Sequence, residues 1–377
     1  MKYILHIDMN SFFASCEQAN NEEYIRKPII VAGDPRSRHG IVLAASYEAK
    51  KYGIKTTMPI WQALNLCKDA IVVKPKMGLY SEVSDKIMKI LDRYTPIKEK
   101  FSIDEAFLDM GNEKDVLGVA RNIQKTILDE VGIMSSIGIS TNKFLAKMAS
   151  EMKKPMGITT LYIDEIEKKI YNMKVKEMFG VGKKTAKTLN NMGIITIGDL
   201  SKVNEDVLSK RIGLKHARKI LNNSRGIGED VLDPNSYSEF KSVGNEITLK
   251  EDLDIAEDIL VFYKRLSEKV AYRLRDKSYK GKTINLKIKY YDFEVITRSK
   301  SIQTKFDDAD TIYKEIKELF MKNWDKRKVR LIGVSVSNVE SIKEDYQMSL
   351  FDNKKGIEED LDKIRNKYGN GIIRKGI

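Results

Sequence analysis

The stretch Phe101-Ser102-Ile103-Asp104-Glu105-Ala106-Phe107-Leu108-Asp109 restricts the fold of this chain more than any other. Two adjacent carboxylates, Asp104 and Glu105, sit among apolar, strand-forming residues, where a solvated run of charge is not expected. Neighbouring side chains of a regular strand point to opposite faces, so the pair shares one site only at a strand end, a turn or a bulge. Paired carboxylates at a strand end suit Mg²⁺, a hard cation that takes carboxylate oxygens and keeps positions for phosphates. A hairpin turn with two solvated acids would give the same local pattern. A second acid-ended strand opens the chain. Tyr3-Ile4-Leu5-His6-Ile7-Asp8-Met9 reads as a buried strand closing on Asp8, and it runs straight into Asn10-Ser11-Phe12-Phe13-Ala14-Ser15.

With 377 residues the chain has room for about two to four domains and a sizeable core. Cys16 and Cys67 are the only cysteines. They are too few for a disulfide framework or a zinc site and fit a reducing cytoplasm. No apolar run approaches the length of a membrane span, and the N-terminus lacks a basic-then-apolar signal pattern. The net charge of +13 points to a polyanionic partner, nucleic acid first. Its distribution is uneven: residues 1–165 carry 23 Lys+Arg against 21 Asp+Glu, residues 166–232 carry 14 against 7, and residues 240–342 carry 22 against 17. The acids lie in front and the excess of cations behind, as expected of an enzyme whose catalytic part binds metal while its other parts grip phosphates.

Periodicity predicts a helix from Phe12 to Asn21, strands over 28–33 and 40–46, and a helix opening at Tyr47 that Gly53 can end. Helices follow over 80–94, 116–131 and 142–152, the last with Ser140 or Thr141 as its N-cap. Met178-Phe179-Gly180-Val181-Gly182-Lys183-Lys184 reads as a helix-hairpin-helix turn. Its glycines, flanking one apolar residue, let backbone N–H groups approach a phosphate without reading bases. A second, weaker candidate lies at Ile212-Gly213-Leu214-Lys215. Beyond the linker-like Asp233-Pro234-Asn235-Ser236 the pattern reads strand, helix, strand, strand, helix, strand, a split-βαβ order. Lys287, Lys289, Arg298, Lys300 and Arg330 fall on those strands, where cations can track phosphates.

Asp8-Met9-Asn10-Ser11-Phe12-Phe13 together with Ser102-Ile103-Asp104-Glu105 resembles the Y-family translesion DNA polymerases, on the DNA polymerase IV branch. The resemblance recurs in order along nearly the whole chain. It implies an α/β multidomain, right-hand polymerase: palm in 1–10 and 75–165, small fingers in 11–74, and an all-helical thumb with the helix-hairpin-helix in 166–232. A linker at 233–240 and a split-βαβ (βαββαβ) little finger at 241–342 follow, then a tail at 343–377. It further implies DNA-templated addition of dNTPs to a primer 3′-hydroxyl by two-metal phosphoryl transfer, without proofreading, for bypass of damaged template. Asp8, Asp104 and Glu105 would be the catalytic acids, holding two Mg²⁺ ions with the Met9 carbonyl.

Phe12, Phe13, Tyr47, Lys50 and Lys154 would contact the nucleotide. Two aromatics at helix spacing are usually core, and Phe12 fits that reading as well. Phe13 would be the steric gate, its ring filling the place of a ribose 2′-hydroxyl. Lys50 stands where the family usually has Arg, and lysine lacks the planar bidentate fork. Gly180, Val181, Gly182 and Lys183 would hold primer–template DNA. In the tail, Gln347, Leu350 and Phe351 lie in a segment similar to the bacterial sliding-clamp-binding peptide, placed where a tether belongs. A monomer is expected. The alternatives are a catalytically silent DNA- and clamp-binding factor, or an SOS-mutagenesis polymerase that needs accessory subunits. The three acids argue against the silent factor, because burying them without metal is costly.

Overall fold

The computed structural model describes residues 2–33, 40–237 and 240–342. The chain divides between positions 238 and 239 into two compact units. The first runs β1 (Tyr3–Met9), α1 (Phe12–Asn20), β2 (Ile29–Ala32), β3 (Val42–Ala45), α2 (Tyr47–Lys51), α3 (Ile60–Leu66), β4 (Ile71–Val73) and α4 (Met77–Leu91). It continues with β5 (Lys98–Lys100), β6 (Glu105–Gly111), α5 (Val116–Val131), β7 (Ser135–Ser140), α6 (Lys143–Met152) and β8 (Ile158–Thr160). Helices α7 (Ile166–Lys169), α8 (Lys183–Asn191), α9 (Ile197–Ser201), α10 (Glu205–Ile212) and α11 (Leu214–Ser224) complete it.

The main sheet has the order β5-β6-β1-β7-β8, with β1 central and antiparallel to both neighbours. Both faces of β1 are covered, which is why its sequence is nearly continuous in apolar residues. Leu5, Ile7 and Met9 face a core shared with Ile87, Leu91, Ile123 and Ile127 of α4 and α5. Ile4, His6 and Asp8 alternate onto the other face, the one that α6 covers. That helix lies very close to the sheet. A Cβ on Gly138 of β7 would sit 1.9 Å from the Ala146 carbonyl oxygen and 2.4 Å from the Ser150 nitrogen, both backbone atoms. Only glycine admits this approach. The N-cap of α6 is Asn142, whose side chain accepts from Leu145 N–H at 2.9 Å, and not Ser140 or Thr141. Ser140 still belongs to β7 and donates its hydroxyl to the Leu161 carbonyl.

A smaller sheet, β3-β2-β4, packs with α2 and α3 around Ile30, Val42, Ile60 and Ala63. Helices α7–α11 surround Ile170, Leu189, Leu200, Leu208 and Ile220, and this core extends onto Phe144, Leu145 and Met148 of α6. One helix therefore serves both the main sheet and the basic helical region. Gly180 adopts φ +90° in the predicted turn, Val181 buries itself in the helical core, and Gly182 caps α8. The segment before that turn is one 3₁₀ turn, Val175–Glu177, and not a full helix.

The second unit is β9 (Ser242–Leu253), α12 (Ala256–Asp276), β10 (Tyr279–Tyr290), β11 (Val295–Phe306), α13 (Ala309–Asn323), β12 (Val329–Ser337) and β13 (Glu340–Ser341). Its sheet order is β11-β10-β12-β9, all antiparallel, with β13 pairing β10. β12 lies between β9 and β10, and β10 lies between β11 and β12, so both βαβ units are split. Ile284, Leu286, Ile288 and Tyr290 face the helices. Lys287 and Lys289 alternate onto the open face. Arg298 and Lys300 do not join them, because they stand opposite Leu286 and Ile284 in register. They reach α13 instead: Lys300 pairs with Glu315 and Glu318, and Arg298 donates to Asn323. Arg330 pairs with Asp252. Among the described residues no helix is long and apolar enough to cross a membrane.

Candidate active site

Asp8 lies near the end of β1 and Glu105 begins β6, and the antiparallel register sets them directly opposite each other. Asp104 sits one residue outside the strand. Its carbonyl accepts from Met9 N–H at 3.0 Å, so the loop is fastened to the end of β1. The Asp104 carboxylate accepts from the Ser102 hydroxyl at 2.6 Å. A further carboxylate comes from α6: ligand oxygens of Asp8, Glu105 and Glu151 lie within 4.8 Å of one another. Asp104 is outside that tight group but lines the same cavity, of about 330 Å³, with Asp8, Met9, Glu105 and Glu151.

Two lysines of the α6 region neutralise the acids. Lys154 Nζ lies 2.8 Å from Asp8 Oδ1 and 2.8 Å from Glu151 Oε1. Lys147 Nζ lies 2.7 Å from Glu105 Oε2 and faces the rings of Phe101 and Phe179 at 5.2 and 5.1 Å. His6, fully buried, hydrogen-bonds Ser150 through Nδ1 at 2.8 Å and turns Nε2 toward Glu105 at 3.6 Å. Burial pushes the His6 pKa down to about 4. The two opposed acids split: burial pushes Asp8 up to about 7 despite Lys154. Glu105 is held well below the usual carboxylate range, because His6 and Lys147 outweigh its desolvation. Burial also raises Asp104. The donor set is all oxygen, four carboxylates that share Lys147 and Lys154, and it fits Mg²⁺.

The remaining wall of the cavity includes Ser11, Phe12, Phe13, Ala44 and Lys50. Phe12 is buried yet reaches the cavity, and half-buried Phe13 stacks on Tyr80 with centroids 4.5 Å apart. Lys50 Nζ donates to Ser11 Oγ at 2.6 Å and lies 4.6 Å above the Tyr47 ring. Burial and the Lys154 charge lower the Lys50 pKa. Tyr47 stands behind Lys50 as its aromatic support and is not among the residues lining the cavity. Gly180, Val181, Gly182 and Lys183 form the turn at the start of α8, away from this cavity lining. Gln347, Leu350 and Phe351 lie outside the described residues.

Family models match three stretches: the impB/mucB/samB family over residues 7–151, its C-terminal domain over 240–350, and a DNA polymerase-iota thumb domain over 176–228. DNA polymerase IV of Clostridium kluyveri is 43% identical, covering 100% of this chain and 98% of its own length. DNA polymerase IV 1 of Bacillus subtilis is 40% identical over 100% of this chain and 92% of its own. The chain belongs to the Y-family DNA polymerase IV family. Its fold is of the Y-family polymerase kind. A Y-family polymerase chimera of Dbh and Dpo4 superimposes with a TM-score of 0.81 at 28% identity, covering 90% of this chain and 99% of the chimera. The insertion ternary complex of Dbh DNA polymerase gives 0.63 at 27% identity, with the same coverage.

Lys147, Glu151, His6 and Asn10 escaped the sequence reading. The first two carried a signal: Lys147, Glu151 and Lys154 stand at i, i+4 and i+7, one charged face on or just past α6. His6 shares the parity of Asp8 in β1 and so the same face. Asn10 is buried and bonds both Ser136 Oγ and Met156 N–H, tying the end of β1 to the loop that carries Lys154.

The raised Asp8 pKa has a testable consequence. A carboxyl with a folded pKa of about 7, against an unfolded value near 4, binds its proton more tightly when folded. The metal-free protein therefore loses stability as pH rises from about 4 through 7. Asp8→Asn removes the loss and should stabilise the metal-free protein at pH 8 by on the order of 1–3 kcal/mol. Denaturant midpoints against pH, with and without Mg²⁺, check this. Wild type and variant should converge near pH 4, and Mg²⁺ should raise the wild-type midpoint more. Parallel pH profiles would contradict it.

Proposed function

We propose that this chain is a template-directed DNA polymerase of the translesion class, adding dNTPs to a primer 3′-hydroxyl without proofreading. Family membership supports the activity. The observation that carries the mechanism is the register that opposes Asp8 to Glu105 beside Asp104, within one cavity that Lys50, Lys154 and Phe13 also line.

Asp8, Asp104 and Glu105, with the Met9 carbonyl, would hold two Mg²⁺ ions. When bound, these supply the charge that activates the primer hydroxyl and stabilises the leaving pyrophosphate. Lys154, which lies on both Asp8 and Glu151 at the cavity wall, would offer its ammonium to the triphosphate. Lys147 and His6 keep Glu105 ionised and oriented. Lys50, braced by Tyr47 and Ser11, offers a second positive group to the phosphates, a point charge in place of a fork. Phe13 closes the wall where a sugar would lie and offers a 2′-hydroxyl no hydrogen bond.

Outside the cavity, the Gly180–Gly182 turn before α8 and the open sheet face of Lys287 and Lys289 suit backbone contacts to primer–template DNA. Gln347, Leu350 and Phe351 are proposed to tether the enzyme to a sliding clamp.

Primer extension on an undamaged template with dNTPs and Mg²⁺ tests the reaction. Wild type should extend, and Asp104→Asn should lose at least about 10³-fold in rate, since one of the charged groups holding the metals is gone. Equal extension by the variant would remove Asp104 from the mechanism. Failure of both, with primer–template still bound, would favour a silent binder or an enzyme needing accessory subunits. Replacing Leu350 and Phe351 together by Ala should abolish co-elution with the clamp and leave extension on a short template unchanged. Co-elution by the double variant would reject the tether.

A further inference from the structure

Behind Phe13 stands a polar assembly that the reaction does not use. Phe13 and Glu17 lie one turn apart on α1, and Lys76 and Tyr80 lie one turn apart at the start of α4. The two pairs face each other. The Tyr80 ring stacks on Phe13 with centroids 4.5 Å apart and planes 13° apart. The Tyr80 hydroxyl donates to Glu17 Oε1 at 2.8 Å, and Lys76 Nζ lies 2.7 Å from Glu17 Oε2. Glu17 and Tyr80 are both fully buried, whereas Lys76 is half exposed. A buried carboxylate is costly unless each oxygen has a partner, and this one has one for each.

The geometry matters because, beside the Phe12 ring at 5.8 Å and the edge of the main core, Tyr80 is, among the described residues, the one ring stacked flat on Phe13. A phenyl group excludes a hydroxyl by overlap alone, so its discrimination depends on position to a fraction of an ångström. Phe13 opens to the cavity on one side and is backed by Tyr80 on the other. The tyrosine ring cannot slide or rock while its hydroxyl is held by Glu17. Glu17 cannot change rotamer while Lys76 holds its other oxygen.

We propose that Glu17, clamped by Lys76, is a positioning residue for sugar discrimination, acting through the Tyr80 hydroxyl to fix the plane of Phe13. This rests on the reading of Phe13 as the steric gate. Glu17 touches neither substrate nor metal. Its effect should appear in the choice between sugars and only weakly in the rate with the preferred one.

The test is the ratio of kcat/KM for a dNTP to that for its ribonucleotide on one primer–template. It is measured for wild type, Phe13→Val, Glu17→Gln and Tyr80→Phe. Glu17→Gln should lower the ratio about tenfold, chiefly through a gain with the ribonucleotide. Tyr80→Phe keeps the stack and the Glu17–Lys76 pair and should lower it by about threefold, and it decides the matter if Glu17→Gln does not fold. A fall in both efficiencies with the ratio unchanged would make Glu17 merely structural and overturn the proposal. Phe13→Val separates the two layers. If it lowers the ratio while Glu17→Gln and Tyr80→Phe do not, only the clamp fails. If it leaves the ratio unchanged, the gate reading fails and the clamp goes with it.

Discussion

Everything in the first unit is arranged around an unfavourable contact, the opposition of Asp8 and Glu105 across the β1–β6 pairing. Backbone register alone brings them together, and a slip of β6 by one residue would turn Glu105 to the face opposite Asp8. Without metal the repulsion is relieved in two ways. Lys154 and Lys147 each approach one acid, and burial raises the Asp8 pKa while Lys147 and His6 hold that of Glu105 low. The acids are thus partly neutralised by lysines of the α6 region, and on the proposed function divalent ions would take over that role and leave Lys154 for the phosphates.

The lysines arrive there because α6 can lie nearly on the backbone of β7. Gly138 makes that approach possible, and the same helix carries Lys147 and Glu151 before the chain turns to Lys154. The opposite flank of α6, through Phe144, Leu145 and Met148, belongs to the core of the basic helices. Lys147 is held between Phe101, next to the loop that carries Asp104, and Phe179, in the turn before α8. The ion pair of Lys147 with Glu105 is thus bordered by residues of both the main sheet and the helical region. The second unit shares none of this chemistry. Its split-βαβ sheet keeps apolar residues toward two helices and leaves Lys287 and Lys289 on the open side.

Much of this was legible in the sequence, and the part that was not has physical causes. Asp8, Asp104 and Glu105 stood out because charge in an apolar strand is expensive and needs a reason. The βαββαβ order of the second unit followed from alternating and helical periods. Which face each cation takes did not follow, because strand parity is fixed only by the cross-strand partner; Arg298 and Lys300 fall on the helix side for that reason. The cap of α6 shifted to Asn142 because β7 runs on through Ser140, whose hydroxyl is taken by the Leu161 carbonyl. Glu151 was hidden because a carboxylate on a charged helix reads as solvated until the strand end beneath it is known. Glu17 likewise reads as a surface position on α1, and only the arrival of α4 buries it.

These opposed carboxylates are proposed to form a seat for two divalent cations in the working complex. Counting Mn²⁺ bound to the enzyme with primer–template and a non-reactive dNTP analogue, by the loss of the free-ion EPR signal, tests it most directly. Two ions per chain are expected. Asp8→Asn and Glu105→Gln should each lose at least one of them while the DNA remains bound. Full occupancy in both variants, or no ion beyond the one carried by the nucleotide in wild type, would contradict it.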